Sequence, residues 1–424
     1  MEPFIYLAIL IMALIGAPIF IIMGALALVA FSFSDIESSA AVVEMYRVAN
    51  SPTLLTIPLF TFAGYMMAES RSPTRLLNLA QALLGWLPGG IAIVSLVICA
   101  FFTAFTGASG VTIIALGGLL YPILVQRGYS EKFSLGLMTA SGSLGLLFPP
   151  SLPIILYGLV AKVDIDKLFL AGIGPGFLLI LVLSLYAIWH GKKHSVGVGS
   201  GLGRFSLAEA KSAIWGARYE IPLPILVLVG IYGGYTTASE ASAFTAAYVL
   251  VMECFLYRDL SLVRDIPGII KSSMTLVGAI LLILSCALGL TNYLVDEEIP
   301  MQLLDVMKEL ISNKYVFLLY LNIFLIAVGC LMDIFSAIII VVPLIVPIAA
   351  QFGVNQIHLA IIFLTNLEIG YLTPPVGINL FISSFRFNKP VTSLYVASLP
   401  FLVLLLVALA IITYIPFLSL FWFE

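Results

Sequence analysis

Charged residues are scarce in this chain of 424 residues, because Asp, Glu, Lys and Arg together make up only 10% of it. Hydrophobic residues make up 62%, and the mean hydropathy is +1.15. Soluble globular domains carry about 25% charged residues, so the composition excludes that class. The charges also form no basic tract of the kind that binds nucleic acid, and we expect no nucleic-acid partner.

Cysteine is also rare, and the chain lacks a nucleotide-binding motif. The four cysteines lie in apolar segments without the spacing of metal ligands, so we interpret them as small buried residues. No segment matches the phosphate-binding loop of ATPases. The sequence therefore predicts neither a nucleotide-driven pump nor a protein with an organic cofactor.

Apolar stretches of about 18 or more residues recur along the whole chain, which predicts an all-α polytopic membrane protein embedded in a lipid bilayer. We predict ten spans, near residues 3–15, 17–33, 51–69, 133–161, 168–190, 221–236, 240–257, 272–292, 357–385 and 392–418. Two further apolar segments, 88–126 and 314–350, are each about as long as two half-helices and turn back at a polar tip. We interpret these two segments as re-entrant hairpins.

The chain contains an internal repeat on either side of one linker. Residues 191–219 are rich in glycine, serine and basic residues, and they separate a first repeat, 1–190, from a second repeat, 220–424. Shifting the sequence by 225 residues places Gly64 on Gly289, Pro122 on Pro347, Gly145 on Gly370 and Pro149-Pro150 on Pro374-Pro375. Matches of glycine and proline are rarer than matches of leucine in such a chain, so they indicate a duplication.

The distribution of basic residues orients the chain. The linker is rich in Lys and Arg, and it is therefore predicted to be cytoplasmic. The predicted spans then place 14 of the 19 Lys and Arg residues on the cytoplasmic side. Each half crosses the membrane five times, so the halves are inverted relative to one another and both termini lie outside. Inverted repeats with broken helices are typical of secondary transporters, which bind substrate and ions near the midplane.

Four polar interruptions, two in each half, are the candidate binding segments. Two lie at the predicted hairpin tips, Thr103–Thr112 and Gly329–Ala337. The other two, Thr139–Pro153 and Thr365–Asn379, lie inside predicted spans and contain the Pro-Pro pairs. Proline breaks a helix because it lacks a backbone donor and clashes with the preceding turn.

The broken backbone predicts one sodium site in each half. We expect Gly142, Gly145 and Gly370 to permit unwound backbone before the prolines. The freed carbonyl groups, with Ser, Thr and Asn side chains, are hard oxygen ligands of the kind that suits an alkali cation. The first predicted site contains Gly107, Ser109, Ser141 and Gly145, and the second contains Asp333, Asn366, Gly370 and Thr373.

The four interruptions contain no arginine, so we expect a substrate anion to be held by hydroxyl groups, amide groups and half-helix N-termini. The predicted substrate-binding residues are Thr103, Thr106, Thr112, Pro149, Pro150, Pro374 and Pro375.

Two acidic residues, Asp333 and Glu368, lie at predicted membrane depth. An ionisable group there indicates a functional site, but each residue also has a structural interpretation. Asp333 would cap the N-terminus of the returning half of its hairpin. Glu368 would face a water-filled cavity or a partner subunit, or would serve structure or gating.

Two other interpretations compete for the segment Thr103–Thr112. Small residues pack helices closely in membranes without binding anything. The sequence GASG at residues 107–110 also resembles the active-site turn of rhomboid proteases, with Ser109 as nucleophile. Such a serine requires a general base within hydrogen-bond reach, and none of the three histidines lies inside a predicted span opposite Ser109. The matched interruptions in both halves favour a binding site, and we predict that the protein is not an enzyme.

The same segments resemble one transporter family. Residues 332–381, MDIFSAIIIVVPLIVPIAAQFGVNQIHLAIIFLTNLEIGYLTPPVGINLF, closely resemble the signature of the large M subunit of TRAP (tripartite ATP-independent periplasmic) transporters. Residues 141–158, SGSLGLLFPPSLPIILYG, resemble its first-half motif. The resemblance extends over essentially the whole chain. It assigns the role of the second hairpin and broken helix to Asp333, Asn366, Gly370, Thr373, Pro374 and Pro375.

The resemblance implies a sodium-driven elevator, in which hairpins and broken helices slide through a scaffold made of the remaining spans. It implies a periplasmic substrate-binding protein (P) and a small four-helix membrane subunit (Q), which we expect to be a separate polypeptide. The cargo would be a small organic acid, such as a C4-dicarboxylate or a sialic acid, imported across a bacterial or archaeal cytoplasmic membrane. The alternative within transport is a stand-alone sodium/carboxylate symporter.

The first hairpin tip departs from the family pattern. Many members carry more serines there, whereas Ser109 stands alone between glycines. We therefore expect backbone carbonyls, rather than the Ser109 hydroxyl, to supply most ligands of the first sodium site.

Overall fold

The computed structural model describes residues 17–33, 52–87, 89–193, 206–297 and 313–423, with a few isolated positions among residues 8–15, 43–46 and 301–302. Most of the predicted span 3–15 and the first part of the linker lie outside the described residues. Within the described ranges every regular element is helical and no strand occurs, which confirms the all-α prediction.

Eighteen α-helices are assigned in the described ranges. Those before the linker are α1 (Ile19–Phe33), α2 (Thr56–Glu69), α3 (Ser72–Leu84), α4 (Gly90–Thr106), α5 (Ser109–Gln126), α6 (Glu131–Ser141), α7 (Leu152–Ala161) and α8 (Ile165–Lys193). Those that follow are α9 (Leu207–Gly216), α10 (Pro222–Tyr232), α11 (Ala238–Val251), α12 (Ile266–Asp296), α13 (Lys314–Leu331), α14 (Ile334–Gln351), α15 (Gln356–Gly370), α16 (Ile378–Phe387), α17 (Val391–Tyr414) and α18 (Phe417–Leu420).

Long apolar helices confirm a polytopic membrane protein. Seven helices in the described ranges are long and apolar enough to cross a membrane, or up to eight if the bent pair α6 and α7 forms one span. Helix α11 continues as a π-helical turn, Met252–Leu256, and reaches this length only with it. Because an apolar helix of this length satisfies its backbone hydrogen bonds internally, it is stable in lipid.

Helix boundaries recur with the same offset as the sequence repeat. Helices α5 and α6 begin at Ser109 and Glu131, and α14 and α15 begin 225 residues later, at Ile334 and Gln356. The peptide bonds Pro149-Pro150 and Pro374-Pro375 are both cis. The two halves therefore use one local design, whereas their inverted orientation in the membrane and their outer limits remain predictions.

The two predicted broken helices are confirmed. Helix α6 ends before a short 3₁₀ turn, Leu144–Leu147, and α7 starts only after the first Pro-Pro pair, with a bend of 45°. In the second half, α15 ends at Gly370, and the chain passes the second Pro-Pro pair before α16 begins. The missing donors and the steric clash of consecutive prolines account for both breaks.

The predicted hairpins are helix pairs with longer arms than the sequence suggested. The pair α4 and α5 has 17 and 18 residues, and the pair α13 and α14 has 18 each. At 1.5 Å per residue, an arm spans about 27 Å, which is close to the roughly 30 Å of a hydrocarbon core. An arm is therefore more than a half-helix, and its re-entrant course remains a prediction.

The two halves are joined by a pair of crossed contacts. Helix α5 of the first half packs on α16 of the second, and helix α14 of the second half packs on α7 of the first. Helices α1, α2, α11 and α12 pack mainly on one another and form a layer, which also contacts α4 through α2 and α14 through α12. This layer meets the first helix pair where Gly64 lies against the backbone of Phe105 and Thr106, with no room for a Cβ atom.

One arginine beside this layer forms ion pairs with three carboxylates from other parts of the chain. Arg75 of α3 forms ion pairs with Glu220, Glu253 and Asp259, and its guanidinium carbon lies 3.7 Å from the centroid of the Tyr257 ring. The side chains of both glutamates are fully buried. Burial lowers the pKa of Arg75, but hydrogen bonds to Asp259 and Glu220 raise that pKa by more, so the arginine stays charged.

We expect Arg75→Gln to destabilise the protein by about 3–5 kcal/mol, because it leaves buried carboxylates without a counter-charge. The measurement is the thermal unfolding midpoint of the purified protein in detergent. Arg71→Gln is the matched control, because the Arg71 side chain is exposed and only its backbone N–H donates to Asp259. Equal midpoints for the two variants would contradict the role assigned to Arg75.

Candidate functional site

The tip of the first helix pair contacts the first broken helix through a threonine side chain. Thr103 Oγ1 lies 2.7 Å from Thr112 Oγ1 and 2.8 Å from the carbonyl oxygens of both Cys99 and Gly142. A hydroxyl has one proton, so Thr103 donates to one of these two carbonyls at a time, and Thr112 donates to Thr103. Thr103, Thr112 and Gly142 are all buried. The first tip is therefore in polar contact with the first break.

A second polar cluster joins the same tip to the other half. Ser109, the first residue of α5, donates to Asn379 Oδ1 over 2.7 Å. Thr139 of α6 donates to Ser383 Oγ over 2.9 Å, next to Asn379 on α16. All four side chains are buried. The crossed contact between α5 and α16 therefore contains a hydrogen-bonded polar centre.

The predicted first sodium site lies along this contact. Gly107 has a left-handed backbone, with φ of 65°, at the turn between α4 and α5. The Ser109 hydroxyl is committed to Asn379, and the Ser141 hydroxyl donates to the Met138 carbonyl over 3.1 Å. Two of the predicted side-chain ligands therefore already have hydrogen-bond partners. Both serines are the donors in these bonds, so their oxygen lone pairs are not used by them, and the site remains a prediction.

The second tip is built around Asp333, which caps α14. Asp333 Oδ1 accepts hydrogen bonds from the backbone N–H groups of Phe335 and Ser336, each over 3.0 Å. The Ile334 N–H donates instead to the hydroxyl of Tyr371, over 2.6 Å. The structural role that the sequence offered for Asp333 is therefore confirmed, and a sodium role remains a prediction.

Two helix C-termini converge beside this tip. Helix α13 ends at Leu331 and α15 ends at Gly370, and a Cβ atom on Gly370 would lie 2.5 Å from the backbone carbon of Gly329. The Gly377 N–H donates to the Cys330 carbonyl over 3.1 Å, which binds the second break to the tip. Carbonyl groups at a helix C-terminus carry partial negative charge, so this convergence is a negative pole.

Asn366 lies one turn before Gly370 on α15 and is fully buried. Its amide nitrogen donates to Asn322 Oδ1 over 2.7 Å and to the Ile362 carbonyl over 2.8 Å. Its Oδ1 atom has no hydrogen-bond partner among the described residues. A buried acceptor without a donor is costly, and an oxygen in this state is suited to a cation. Thr373, the fourth predicted ligand, donates to the Ile369 carbonyl over 3.0 Å.

The glycines near the breaks also allow close packing. Gly142, Gly145 and Gly370 do not have positive φ, so left-handed backbone is not the reason for glycine at these positions. A Cβ atom on Gly145 would lie 2.1 Å from the Ala100 carbonyl oxygen, and one on Gly142 would lie 2.5 Å from Ile113. Close approach of the helix pair to the broken helix requires glycine there.

The predicted substrate residues do not form one surface in this conformation. Thr103, Thr106, Thr112, Pro149 and Pro150 are buried, whereas Pro374 and Pro375 are exposed. The prolines of the second break thus lie at the surface of the chain, and those of the first break lie in its interior.

Glu368 is fully buried, and its two carboxyl oxygens have no hydrogen-bond partner among the described residues. Helices α8, α13, α14 and α17 pack on α15, and their charged residues lie only near the ends of α8 and at the start of α13. An ionised carboxylate without a partner costs several kcal/mol when buried. We therefore expect the Glu368 side chain to be neutral.

The geometry around Ser109 does not resemble a protease site. Its hydroxyl bonds to an amide oxygen rather than to a general base. His358 is buried and bonds to Ser419 Oγ over 2.6 Å, and the ring of His190 stacks on Phe133. A serine hydrolase requires the nucleophile and base in direct contact, which neither histidine provides.

Sequence reasoning missed several residues of these clusters. Asn379 and Gly329 lie in the predicted interruptions but were not assigned a role, and Asn322 and Tyr371 were not considered. A lone asparagine in the apolar helix α13 was the available signal for Asn322, because a buried amide requires partners.

Comparison with known proteins identifies a consistent set of relatives. The family model described as "Tripartite ATP-independent periplasmic transporter, DctM component" matches residues 5–418. The C4-dicarboxylate TRAP transporter large permease protein DctM of Pseudomonas aeruginosa is 36% identical over 94% of this chain and 92% of its own length. The ectoine/5-hydroxyectoine TRAP transporter large permease protein UehC of Ruegeria pomeroyi is 28% identical over 98% of this chain and 97% of its own.

One relative is longer than this chain. The isethionate TRAP transporter permease protein DctMQ of Oleidesulfovibrio alaskensis is 36% identical over 96% of this chain, which spans 64% of that protein. Among solved structures, the YdaH transporter of Alcanivorax borkumensis has a similar fold, with a TM-score of 0.62 and 13% identity over 88% of this chain and 86% of that one.

We expect Gly370→Ala to disrupt the second tip, because the added methyl group meets the Gly329 backbone, and overpacking of this kind costs about 1–3 kcal/mol. Thermal unfolding of the purified variant measures this loss. Gly268→Ala is the control, because Gly268 has open space around its Cβ position on α12. Similar midpoints for both variants would show that α13 and α15 do not approach as described.

We expect Glu368→Gln to keep the thermal midpoint within about 2 °C, because glutamine has the size of a neutral glutamic acid. Glu220→Gln is the contrasting variant, since Glu220 is a buried carboxylate paired with Arg75, and we expect it to lower the midpoint. A large loss of stability in Glu368→Gln would mean that Glu368 is ionised and has a partner.

Proposed function

The chain belongs to the family of DctM components of tripartite ATP-independent periplasmic transporters, and on that basis we propose that it drives the import of a small organic acid with sodium. Membership makes it a multi-pass large permease subunit of the inner membrane. The sodium coupling, the elevator movement and the substrate are the parts that we propose.

The convergence of helix C-termini at the two breaks is the observation that carries the proposal. In the second half, α13 and α15 end beside one another at Gly329 and Gly370. In the first half, the Gly142 carbonyl just after the end of α6 lies 2.8 Å from Thr103 Oγ1 in the last turn of α4. Paired C-terminal dipoles favour a cation over an anion. The atoms that would bind the cation are oxygen atoms. These residues therefore fit sodium.

Asp333 makes the second site more favourable for a cation. The N-terminus of α14 begins there and carries partial positive charge, which would repel sodium. The Asp333 carboxylate caps this terminus and compensates its charge. The Asn366 oxygen, which has no hydrogen-bond donor among the described residues, would add a neutral ligand one turn before the C-terminus of α15.

The crossed contacts support an elevator. Helices α5 and α16, and helices α14 and α7, connect the two halves, so the tips and breaks would move as one body. The layer of α1, α2, α11 and α12 would be the scaffold. An inward sodium ion gains about 2.3 kcal/mol per 100 mV of membrane potential, which supplies the work without ATP.

The relatives carry names that differ in cargo: a C4-dicarboxylate, isethionate and ectoine. We propose a small organic acid as cargo of this chain, delivered by a periplasmic binding protein. We also propose a small membrane subunit as a separate partner, although one relative carries the combined name DctMQ.

Uptake into proteoliposomes that contain this chain with its small subunit and binding protein tests the proposal. We expect uptake of succinate, isethionate or ectoine to require an inward sodium gradient. Asp333→Asn keeps the helix cap but removes the charge, and at an effective dielectric constant near 20 this should raise the half-saturating sodium concentration about tenfold or more. Lys132→Gln is the control for loss of an exposed charge. Uptake that persists without a sodium gradient would refute the coupling.

A further inference from the structure

Helix α9 presents an unusual outer face. Leu207, Lys211, Ile214, Trp215 and Arg218 follow the spacing that places residues on one side of a helix. The exposed fractions of Leu207, Trp215 and Ile214 are 76%, 69% and 45%. Large apolar side chains and basic side chains therefore share one stripe, which runs two residues beyond the end of the helix at Gly216.

The side of α9 next to the stripe packs on the protein. Ala210 is buried, as is Ala217 at the C-terminus, and the helix packs on α3. Arg75 in turn holds α3 to the scaffold layer. The helix thus packs on the scaffold through its small residues, and Leu207, Lys211, Ile214 and Trp215 remain exposed. Arg218 is half-buried, with its guanidinium carbon 4.5 Å from the centroid of the Tyr219 ring.

The basic side chains of the stripe lie beside the tryptophan. The Arg218 guanidinium carbon lies 4.9 Å from the Trp215 ring centroid, and Arg218 Nη1 donates to the Trp215 carbonyl over 3.0 Å. The same pairing occurs where α8 leaves the apolar layer, because Lys193 Nζ lies 4.9 Å from the centroid of the exposed Trp189 ring. Tryptophan and basic residues together are typical of a membrane–water interface.

We propose that this stripe is a binding site for acidic phospholipids of the cytoplasmic leaflet, with α9 lying in the plane of the interface. Leu207, Ile214 and Trp215 would enter the acyl boundary, while Lys211 and Arg218 would contact phosphate groups. The stripe contains no acidic residue, because Glu209 lies on another side of the helix. A lipid surface matches this pattern better than a protein partner, since the basic groups lie within the apolar stripe and not around its rim.

Fluorescence quenching by brominated lipids tests the proposal. The chain has four tryptophans, so a variant with Trp86, Trp189 and Trp422 replaced by Phe reports on Trp215 alone. We expect brominated phosphatidylcholine to quench Trp215, and brominated phosphatidylglycerol to quench it more strongly at the same mole fraction. The expected enrichment of the acidic lipid is about fivefold for each basic residue in contact.

Two comparisons make the test specific. A variant that retains only Trp422, which has no Lys or Arg nearby in the sequence, should be quenched equally by the two lipids. Lys211→Gln should reduce the preference of Trp215 for the acidic lipid, whereas Lys271→Gln on α12 should not. The thermal midpoint of each variant establishes that it is folded.

The outcomes separate the parts of the proposal. Stronger quenching by the acidic lipid that depends on Lys211 supports it. Equal quenching by both lipids would overturn the acidic-lipid site, and no quenching would show that α9 does not lie in the interface at all. The test does not depend on transport, so it stands or falls independently of the proposed sodium coupling.

Discussion

The need to satisfy backbone hydrogen bonds away from water controls this structure. Each Pro-Pro pair interrupts a helix at membrane depth, and freed N–H and C=O groups there cost several kcal/mol if left alone. In the second half, the tip and the break satisfy such groups for each other. The Gly377 N–H donates to the Cys330 carbonyl, and the Ile334 N–H donates to the Tyr371 hydroxyl. A break is therefore stable only with a tip beside it, and the pairing concentrates polar groups in two places.

The same pairing explains how the halves depend on each other. The Ser109 hydroxyl finds its acceptor, Asn379, on the opposite half. We therefore expect a movement of the first tip to displace the chain after the second break. In the described conformation the first break is buried and the second is exposed at Pro374 and Pro375. In the proposed elevator, this difference would distinguish the two faces of the transport cycle.

The sequence predicts the architecture well because lipid imposes simple rules. Apolar length, the two Pro-Pro pairs and the 225-residue offset were sufficient to place both broken helices and both helix pairs. The site was harder to predict. Asn379 is separated from Ser109 by 270 residues, and no local pattern predicts a contact between opposite halves. The close packing at Gly145 and Gly370 was also not predicted, because close approach to another helix is a property of packing that single-chain patterns do not encode.

Equilibrium binding of ²²Na⁺ to the purified chain tests the central claim most directly, because it requires neither a substrate nor a partner. The account predicts saturable binding of one ion in each half, displaced by unlabelled sodium but not by potassium. Asp333→Asn should weaken binding at the second site and leave the first. Absence of saturable binding in a folded protein, or binding unaffected by Asp333→Asn, would contradict the claim that paired helix ends at the breaks form cation sites.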